Sequence, residues 1–500
     1  MHRILILWAV VLVSLISIAP AMGARPPISP DTEACIECHL VYHPGIVADW
    51  QRSRHANTTV QEALAVQGLA KKVSSGQVPE GLRTTSVGCA ECHGMRGDAH
   101  ADTFDHNGYD IHVVVSPDDC ATCHAEERKQ YKDNIMAMAH TNLADNTLYN
   151  DLERTILGKM AVKAGRLAIE PADASTRAEA CYYCHGTRLS LAGTEVRDTD
   201  VGELSFPIIT GWPNQGVGRI NLDGSRGACS SCHTRHQFSI ETARKPDTCS
   251  ECHAGPDVPA YKVYKVSKHG NLYSSHSGEW DFKPVPWTVG KDFSAPTCAA
   301  CHVSLVVDEN GEVVSERTHT MNDRLGWRIF GLIYAHHQPK SADTTPIRNK
   351  SGLPLPTDLD GTPADKFLIG ADEVEARRGT MQRTCLACHG TAWVNGHFAR
   401  LDHTLGVTNS QVRTATQLLE TIWQKGYAQG PAKGGSPFDE AIERRWCDTW
   451  LFYANTIRFN SAMAGGGDYG VFDDGRYPLS STIMEMHDWL KLRDMAQKAK

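Results

Sequence analysis

Cys229-Ser-Ser-Cys-His233 and Cys249-Ser-Glu-Cys-His253 are two of eight copies of the pattern Cys-x-x-Cys-His in this chain. In each copy, the two thiols can bond covalently to the vinyl groups of a haem, and the imidazole can ligate the haem iron. The copies use sixteen of the seventeen cysteines, so a parallel disulfide framework is not expected. The sequence therefore predicts an octahaem cytochrome c, with eight covalently bound c-type haems at Cys35, Cys38, His39, Cys89, Cys92, His93, Cys120, Cys123, His124, Cys181, Cys184, His185, Cys229, Cys232, His233, Cys249, Cys252, His253, Cys298, Cys301, His302, Cys385, Cys388 and His389.

The stretches between the motifs are rich in Gly, Pro, Asp and Ser, as in residues 351–365. This composition favours short helices and long loops over sheets, with one small hairpin turn expected at Gly311–Ser315. Because eight cofactors replace much of the side-chain core, we expect the polypeptide to wrap around closely packed haems. Cys229 and Cys249 are close in sequence, so their haems are expected to be neighbours.

Residues 1–24 have the pattern of a secretory signal peptide, in which His2 and Arg3 precede an apolar run from Ile4 to Ile18. Cleavage is expected after Gly23 or Ala24, and a retained membrane anchor is the alternative. Because haem is attached covalently outside the cytoplasm, the mature protein is expected in the periplasm. The formal charge of -8 gives no basic footprint for nucleic acid and suits a basic redox partner.

The character of the chain changes after His403. Apolar spacing predicts helices at Ser410–Lys425 and from Ser480 to about Ala496. Between them, Ser436 is the predicted N-cap of a helix that ends at residues 465–467. One face of that helix carries Ile442, Trp446, Trp450, Tyr453 and Ile457, and Cys447 is interpreted as a small buried hydrophobe. We therefore predict an octahaem domain over residues 25–403 and a C-terminal helical region over 404–500 that forms an oligomer interface.

The histidine count bears on the coordination of the haem irons. Each iron has two axial positions, and the motif histidine fills one of them. The chain has 24 histidines, and setting aside the eight motif residues and His2 leaves fifteen. Seven of these would complete every haem but one. The count thus permits seven haems with two histidine ligands and one haem with an open position, where a substrate could bind.

Several segments resemble hydroxylamine oxidoreductase, an octahaem family. They are Arg52-Ser-Arg-His55-Ala-Asn, Cys229-Ser-Ser-Cys-His-Thr-Arg-His236-Gln-Phe, Arg244-Lys-Pro-Asp-Thr-Cys249-Ser-Glu-Cys-His253, Ser267-Lys-His269-Gly270, Ala295-Pro-Thr-Cys298-Ala-Ala-Cys-His302 and Thr318-His319. The resemblance implies a mainly α fold and a homotrimer. It also implies that the fourth haem, held by Cys181, Cys184 and His185, is five-coordinate and catalytic. The distal ligands that it implies for the other haems are His55, His140, His236, His269 and His319, with His106 (or His112) as a looser match. The late histidine positions of the ammonia-oxidiser enzymes are absent here, so His397 or His403 is predicted for the seventh haem.

The chain departs from the family in the predicted catalytic pocket. The family has an Asp-His pair and a Tyr there, whereas this chain has Asp257 at the Asp, Val258 at the His and Phe330 at the Tyr. Oxidation of hydroxylamine requires protons to leave, so the loss of an imidazole base argues against that direction. His336 and His337 are candidates to replace the missing base, with iron-ligand or surface roles as the alternatives.

Tyr469, in Gly466-Gly467-Asp468-Tyr469, stands near the tyrosine that cross-links the catalytic haem of a neighbouring subunit in the oxidising enzymes of the family. The sequence that follows aligns only with gaps. Together with Trp393-Val-Asn-Gly-His397-Phe, it looks more like the branch of the family thought to reduce nitrogen oxides. The expectation is therefore that Tyr469 forms no cross-link.

Three functions remain open on this evidence. The favoured hypothesis is a periplasmic oxidoreductase that reduces nitrite, nitric oxide or hydroxylamine towards ammonium, with Asp257 as proton donor and hydrogen-bond acceptor. The first alternative is a hydroxylamine or hydrazine dehydrogenase that passes electrons to a cytochrome. The second is a non-catalytic electron conduit. The expected partners are a small nitrogen compound and a redox-partner cytochrome or quinone-linked carrier, with no nucleic acid.

Overall fold

The computed structural model describes residues 25–499, and about 48% of the chain is helical. The predicted signal peptide lies outside the described residues. The helices are mostly short, as the loop-rich composition predicts. The α-helices are α1 (Pro30–Tyr42), α2 (Pro44–Arg52), α3 (Val60–Ala65), α4 (Cys89–His93), α5 (Pro117–Cys120), α6 (Ala125–Lys132), α7 (Ala139–Ala144), α8 (Thr147–Leu157), α9 (Ala174–Glu179), α10 (Cys181–His185), α11 (Ile240–Arg244), α12 (Pro246–His253), α13 (Ala260–Val266), α14 (Lys268–His276), α15 (Cys298–His302), α16 (Ala371–Leu386), α17 (Thr391–Gln424), α18 (Ala441–Asp448), α19 (Ala454–Ala462) and α20 (Arg476–Lys498).

Within residues 25–499, the strands form small sheets of two or three strands each. They are β1 (Phe104–His106), β2 (Tyr109–Ile111), β3 (Lys159–Lys163), β4 (Arg166–Glu170), β5 (Ser190–Thr199), β6 (Gly202–Thr210), β7 (Trp287–Thr288), β8 (Val306–Val307), β9 (Val313–Ser315), β10 (Trp327–Arg328) and β11 (His336–His337). Antiparallel pairs join β1 to β2, β3 to β4, β5 to β6 and β10 to β11. Strands β7, β8 and β9 form one three-stranded sheet. The antiparallel pair β8-β9 is the small hairpin expected at Gly311–Ser315.

The hairpin β5-β6 is the main departure from the expectation of helices and loops. Its ten- and nine-residue strands are exposed on both faces along most of their length. A strand shows alternating apolar and polar residues only when one of its faces is buried. Since β5 has no buried face, its sequence carries no alternation, and the hairpin could not be recognised from the pattern.

Each haem motif folds as one helical turn. The motifs beginning at Cys89, Cys181 and Cys298 each form a five-residue helix that runs from the first Cys to the His. Where the motif is not a separate helix, as at Cys229, the His233 N–H still donates to the Cys229 carbonyl at 3.0 Å. In a helical turn, residues three and four positions apart share a face. The two thiols and the imidazole of a motif therefore point to one side, as covalent attachment of a single haem requires.

The C-terminal helices build the largest apolar core. The predicted stripe residues Ile442, Trp446, Trp450 and Ile457 are at most 4% exposed, and Cys447 is buried beside them. The predicted start of this segment was wrong. Ser436 accepts from the Phe438 N–H in a turn. Helix α18 begins at Ala441, where the Glu443 carboxylate accepts from the Glu440 N–H at 2.9 Å. A one-turn π-helix, Thr449–Tyr453, separates α18 from α19.

Helix α17 is longer than the pattern predicted. The predicted helix Ser410–Lys425 is its last half, and the helix begins at Thr391, directly after the eighth motif. The predicted division between residues 403 and 404 therefore lies within one continuous helix that the haem region and the C-terminal region share. No helix within residues 25–499 has the length and apolar character needed to cross a membrane.

Candidate haem sites and active site

A connected cavity of about 3280 Å³ occupies the interior. Ordinary pockets for small ligands measure about 300–1,000 Å³, so this space suits several large cofactors. Cysteines and histidines of seven motifs line it, and the fourth motif contributes Tyr182 and Tyr183. Seven predicted distal ligands also line the cavity: His55, His106, His140, His236, His269, His319 and His397.

Four motif histidines are oriented by backbone carbonyls. The Nδ1–H groups of His93, His124, His185 and His302 donate to the carbonyls of His112 (2.8 Å), Lys72 (3.2 Å), Ala139 (3.2 Å) and Met321 (3.3 Å). Such a bond fixes the tautomer and leaves Nε2 free as a metal ligand. Burial also lowers the pKa of each of these imidazoles, which keeps the ring neutral, as a ligand must be.

Predicted distal ligands face motif histidines across gaps of similar width. The ring centroids lie 6.1 Å apart for His39 and His106, 6.3 Å for His124 and His55, and 6.1 Å for His389 and His269. These separations are too large for stacking. A metal–imidazole bond is about 2.0 Å long, so two such bonds and the two ring radii account for a separation of this size. The pairs therefore have the spacing of two axial ligands on one iron.

Two further pairs of neighbouring histidines are indicated by the lowered pKa of one member. Burial, followed by the neighbouring His319, lowers the pKa of His233 to about 4. Burial, followed by His93, lowers the pKa of His236 to about 4. The structure therefore places His319 near the fifth motif and His236 near the second. These are two of the histidines that the family resemblance selects.

The remaining predicted ligands, His140 and His397, make other contacts. The Nδ1–H of His140 donates to the Gly186 carbonyl at 2.7 Å, and the His140 ring lies 5.1 Å from Tyr182, beside the fourth motif. His397 stacks on Trp393, and Trp393 in turn stacks on His389. The rival His403 is exposed. Within residues 25–499, His185, His253 and His302 have no histidine ring at the separations given above.

Contacts between cysteines show which motifs are neighbours. The Cys120 thiol acts on the pKa of Cys229, the Cys298 thiol on that of Cys249, and the Cys184 thiol on that of Cys252, so the two thiols of each pair lie close together. The third motif thus meets the fifth, the sixth meets the seventh, and the fourth meets the sixth. Burial and then the nearby Cys249 raise the pKa of Cys232, which places the fifth motif beside the sixth, as their closeness in sequence predicts.

The fourth motif is held by a tight loop at residues 211–219. The Asn214 side chain donates to the Tyr182 carbonyl at 2.9 Å and accepts from the N–H groups of Thr187 at 3.1 Å and Gly216 at 2.9 Å. Gly186 ends α10 with φ +88°, and a Cβ at this position would overlap the backbone of Arg219. The motif therefore depends on a glycine that nothing in the Cys-x-x-Cys-His pattern marks.

Asp257 lies in the turn between α12 and α13, next to the fourth and sixth motifs. Its charge acts on His185 and His253 and on the thiols of Cys181 and Cys184. Its side chain is exposed in the single chain. Asn455 of α19, which is fully buried, donates to the Asp257 carbonyl at 2.8 Å and holds the turn in place. The structure thus brings the predicted acid to the predicted catalytic motif, although the two are far apart in sequence.

Arg458, a fully buried residue of α19, binds groups from three segments near the Asp257 turn. Its guanidinium donates to Asn455 at 3.2 Å, to the Ile329 carbonyl at 3.4 Å and to Asn409 at 2.9 Å. Asn409 in turn exchanges two hydrogen bonds with the backbone of Ala335. One cation therefore connects the Asp257 turn to the segment of residues 329–335. Sequence analysis missed it, because α19 was interpreted only by its apolar stripe.

Phe330 lines the cavity and packs on Phe459, with ring centroids 5.8 Å apart. Val258 is half-buried in the Asp257 turn. The guanidinium of Arg328 lies 5.2 Å from the centre of the Phe330 ring. Arg328 is among the charges that lower the pKa of His185, after burial. An acid, an arginine and apolar surface therefore lie around the fourth motif, where Arg328 and Phe330 line the cavity and Asp257 is exposed. The arginine had no marker in the sequence.

His336 and His337 lie in β11, next to β10. His336 is 4% exposed, its Nδ1–H donates to the His337 carbonyl at 2.6 Å, and burial lowers its pKa to about 3. The His337 ring packs edge-on against Trp327, and its Nδ1–H donates to the Ile369 carbonyl at 3.2 Å. His336 pairs with Arg328 across β10 and β11, and the charges of Arg328 and Arg458 act with burial to lower its pKa. Its role as a replacement for the missing base therefore stays a prediction.

Tyr469 is bound within its own chain. Its hydroxyl donates to Asp474 at 3.4 Å, and the same carboxylate accepts from Thr456 at 2.7 Å. Burial, followed by Asp474 and Asp473, raises the pKa of the Tyr469 phenol to about 12. The segment Tyr469–Asp473 is a short π-helix between α19 and α20.

Comparison with known proteins gives the same class. Residues 219–326 match a family model described as "Seven times multi-haem cytochrome CxxCH". A solved protein described as a hypothetical multiheme protein is 38% identical, with a TM-score of 0.88 over 94% of this chain and 97% of that one. The chain belongs to this multihaem family.

Two further proteins are similar to this chain. The Kuenenia stuttgartiensis reducing HAO-like complex Kustc0457/Kustc0458 shares the fold, with a TM-score of 0.62 at 19% identity over 94% of this chain and 86% of that one. A probable nitrite reductase-hydroxylamine oxidoreductase fusion protein from the same organism is 24% identical over 81% of this chain. The multihaem chain spans 39% of the length of that fusion protein.

The donor sets of this multihaem protein fit haem. The cysteines and the histidine of a motif share one helical turn, and four motif histidines have Nδ1 bound by a backbone carbonyl. The cavity adjoins the cysteines and histidines of seven motifs and reaches the fourth at Tyr182 and Tyr183.

Proposed function

We propose that the protein is a periplasmic octahaem reductase that converts nitrite, nitric oxide or hydroxylamine towards ammonium at the fourth motif. The observation that carries this proposal is the position of Asp257, whose charge acts on His185 and on both thiols of that motif. Val258 and Phe330, at the family's His and Tyr positions, are apolar. The pocket therefore has one group to supply protons and lacks the imidazole that oxidation would require as a base.

The side chains around the fourth motif have separable roles in this proposal. The Asp257 carboxylate accepts a hydrogen bond from bound hydroxylamine and delivers protons to a reduced nitrogen. The positive charge of Arg328 attracts an anion such as nitrite, and Phe330 restricts water on the same side. Cys181, Cys184 and His185 would hold a haem, which would supply one-electron chemistry to a substrate bound there.

The motif contacts support a route for electrons to the fourth motif. The fourth motif touches the sixth through Cys184 and Cys252, and the sixth touches the seventh through Cys249 and Cys298. The proposed active site at the fourth motif thus adjoins the sixth motif, and the sixth adjoins the seventh. A redox-partner cytochrome or a quinone-linked carrier would deliver electrons to the outer motifs, and the family resemblance favours a homotrimer.

Purified protein is expected to reduce nitrite with reduced dye faster than it oxidises hydroxylamine with oxidised cytochrome. Both rates are measured on the same haem-loaded preparation. Faster oxidation would favour the dehydrogenase. Electron paramagnetic resonance tests the conduit alternative, because an open haem gives a high-spin ferric signal that cyanide changes. If every haem were low-spin and insensitive to cyanide, the protein would be a conduit.

Tyr469→Phe is expected to leave the visible spectrum of the haems unchanged, and denatured wild-type protein is expected to run as a single chain. The physical reason is that the Tyr469 hydroxyl is bound to Asp474 of its own chain. Denaturing electrophoresis and intact mass measure this. Tyr427→Phe, which removes a similar bond to Asp494, is the matched control. A covalent multimer abolished by Tyr469→Phe alone would favour the dehydrogenase instead.

A further inference from the structure

A buried polar cluster lies between the second and third motifs. It comprises His100, which is 5% exposed, His112 at 0% and Asp119 at 3%, with Asp102 at 1% beside them. The three ligating side chains come from separate segments: His100 follows a 3₁₀ turn, His112 follows β2, and Asp119 lies in α5. None of the haem assignments above uses His100, Asp102 or Asp119. His112 is the alternative to His106 in the family resemblance, and its ring lies 6.2 Å from that of His93. The His112 carbonyl, however, meets His93 at Nδ1, on the side away from the iron-binding Nε2.

The spacing of these groups fits one metal ion. His100 Nε2 lies 3.1 Å from Asp119 Oδ1, and His112 Nε2 lies 3.7 Å from Asp119 Oδ2. The ligand atoms of the three residues all lie within 4.8 Å of one another. For tetrahedral bonds of about 2.0–2.1 Å, adjacent ligand atoms are roughly 3.3 Å apart. The two measured distances lie on either side of that value.

Several atoms of the cluster have no hydrogen-bond partner. Both ring nitrogens of His112 are buried and unpaired, although a neutral imidazole always carries one N–H donor. His100 Nδ1 and Asp102 Oδ1 are also unpaired, and they lie 3.6 Å apart. The other oxygen of Asp102 is fixed by the N–H groups of Val113 and Val114. A carboxylate behind the far nitrogen of a histidine is the usual support of a metal-bound imidazole.

The charges of the cluster also favour a divalent cation. Asp102, Asp119 and Asp223 are buried or nearly so, and Arg96 is the cation that pairs with two of them, at 3.1 Å from Asp119 and 3.4 Å from Asp223. Three carboxylates and one guanidinium leave two negative charges, which one divalent ion neutralises. The rings of His100 and His112 stack 3.7 Å apart and nearly parallel, so one imidazole has to turn for both Nε2 lone pairs to point at a shared ion.

We propose that His100 Nε2, His112 Nε2 and the Asp119 carboxylate bind one divalent transition-metal ion of the zinc class, separate from the haem irons. Asp102 holds the Nδ1–H of His100, and water completes the coordination. The ion ties three segments of the 97–119 loop together. The His112 carbonyl accepts the Nδ1–H of His93, so the same ion stabilises the backbone that orients the second-motif histidine.

The test is the zinc content and zinc affinity of haem-loaded protein, with Zn²⁺ as the probe. Wild-type protein treated with Zn²⁺ and dialysed is expected to retain about one ion per chain, and His112→Ala is expected to retain almost none. Asp102→Asn keeps the ligands and is expected to weaken zinc affinity roughly 10–100-fold. His276→Ala, at an exposed histidine, is the matched control and is expected to bind zinc like the wild type.

Elemental analysis, haem content and anomalous scattering at the zinc edge separate the outcomes. Iron in excess of the haem count that is lost in His112→Ala would support the same site with a different ion. If His112→Ala loads haem poorly, the affinity of Asp102→Asn decides. Zinc that both variants retain at wild-type affinity would overturn the proposal. So would a wild-type protein that binds no ion other than haem iron.

Discussion

Asp257→Asn is expected to lower the turnover of nitrite or hydroxylamine at least roughly a hundredfold, the usual loss when an acid–base group is removed. Asn has nearly the same shape as Asp and cannot release or accept a proton at the same position. The backbone bond from Asn455 to the Asp257 carbonyl does not involve the carboxylate, so the turn is expected to keep its place. Haem content and the low-spin spectra should therefore be unchanged.

Steady-state rates with reduced dye measure the effect, with haem content as the normalising quantity. Asp198→Asn is the matched control, because Asp198 is an exposed carboxylate of β5 that lies outside the pocket. Unchanged turnover in Asp257→Asn would remove Asp257 from the mechanism. A comparable loss in Asp198→Asn would show that the rate responds to net charge rather than to this acid.

Gly186→Ala is expected to destabilise the protein by more than about 3 kcal/mol and to reduce haem loading at the fourth motif. Gly186 has φ +88° and ψ 146°, a region that residues with a Cβ rarely adopt. The added methyl would also overlap the backbone of Arg219. The loop at 216–219 would have to move away from α10, and Asn214 would lose its contacts to the motif.

Thermal unfolding and haem content per chain measure this effect. Gly406→Ala is the matched control, because Gly406 lies inside α17 with open space around it. There, Ala is expected to stabilise the helix by roughly 0.5–1 kcal/mol. A Gly186→Ala protein with wild-type stability and full haem content would mean that the loop adjusts without cost.

The sequence alone was sufficient for features that depend on neighbouring residues. Each Cys-x-x-Cys-His copy forms a helical turn because residues three and four apart share a helix face. Trp446, Trp450 and Ile457 are buried because their spacing matches one face of a helix. The first residue of α18 was not predicted correctly. Ser436 has the residue type of a cap, but its hydroxyl binds the Phe438 N–H in a turn, and the helix starts after Glu440, whose N–H is bound by Glu443.

The partners of these local features were decided by tertiary structure. His39 and His106, or His389 and His269, are separated by long and irregular stretches, so no periodic pattern could pair them, and the family resemblance supplied the candidates. Arg328, Asn455 and Arg458 reach the pocket from segments that carry no motif. His100, His112 and Asp119 meet only because two turns and a hairpin fold back on one another. Sequence thus determined which groups can attach haem, whereas long-range packing determined which acids, cations and imidazoles lie next to them.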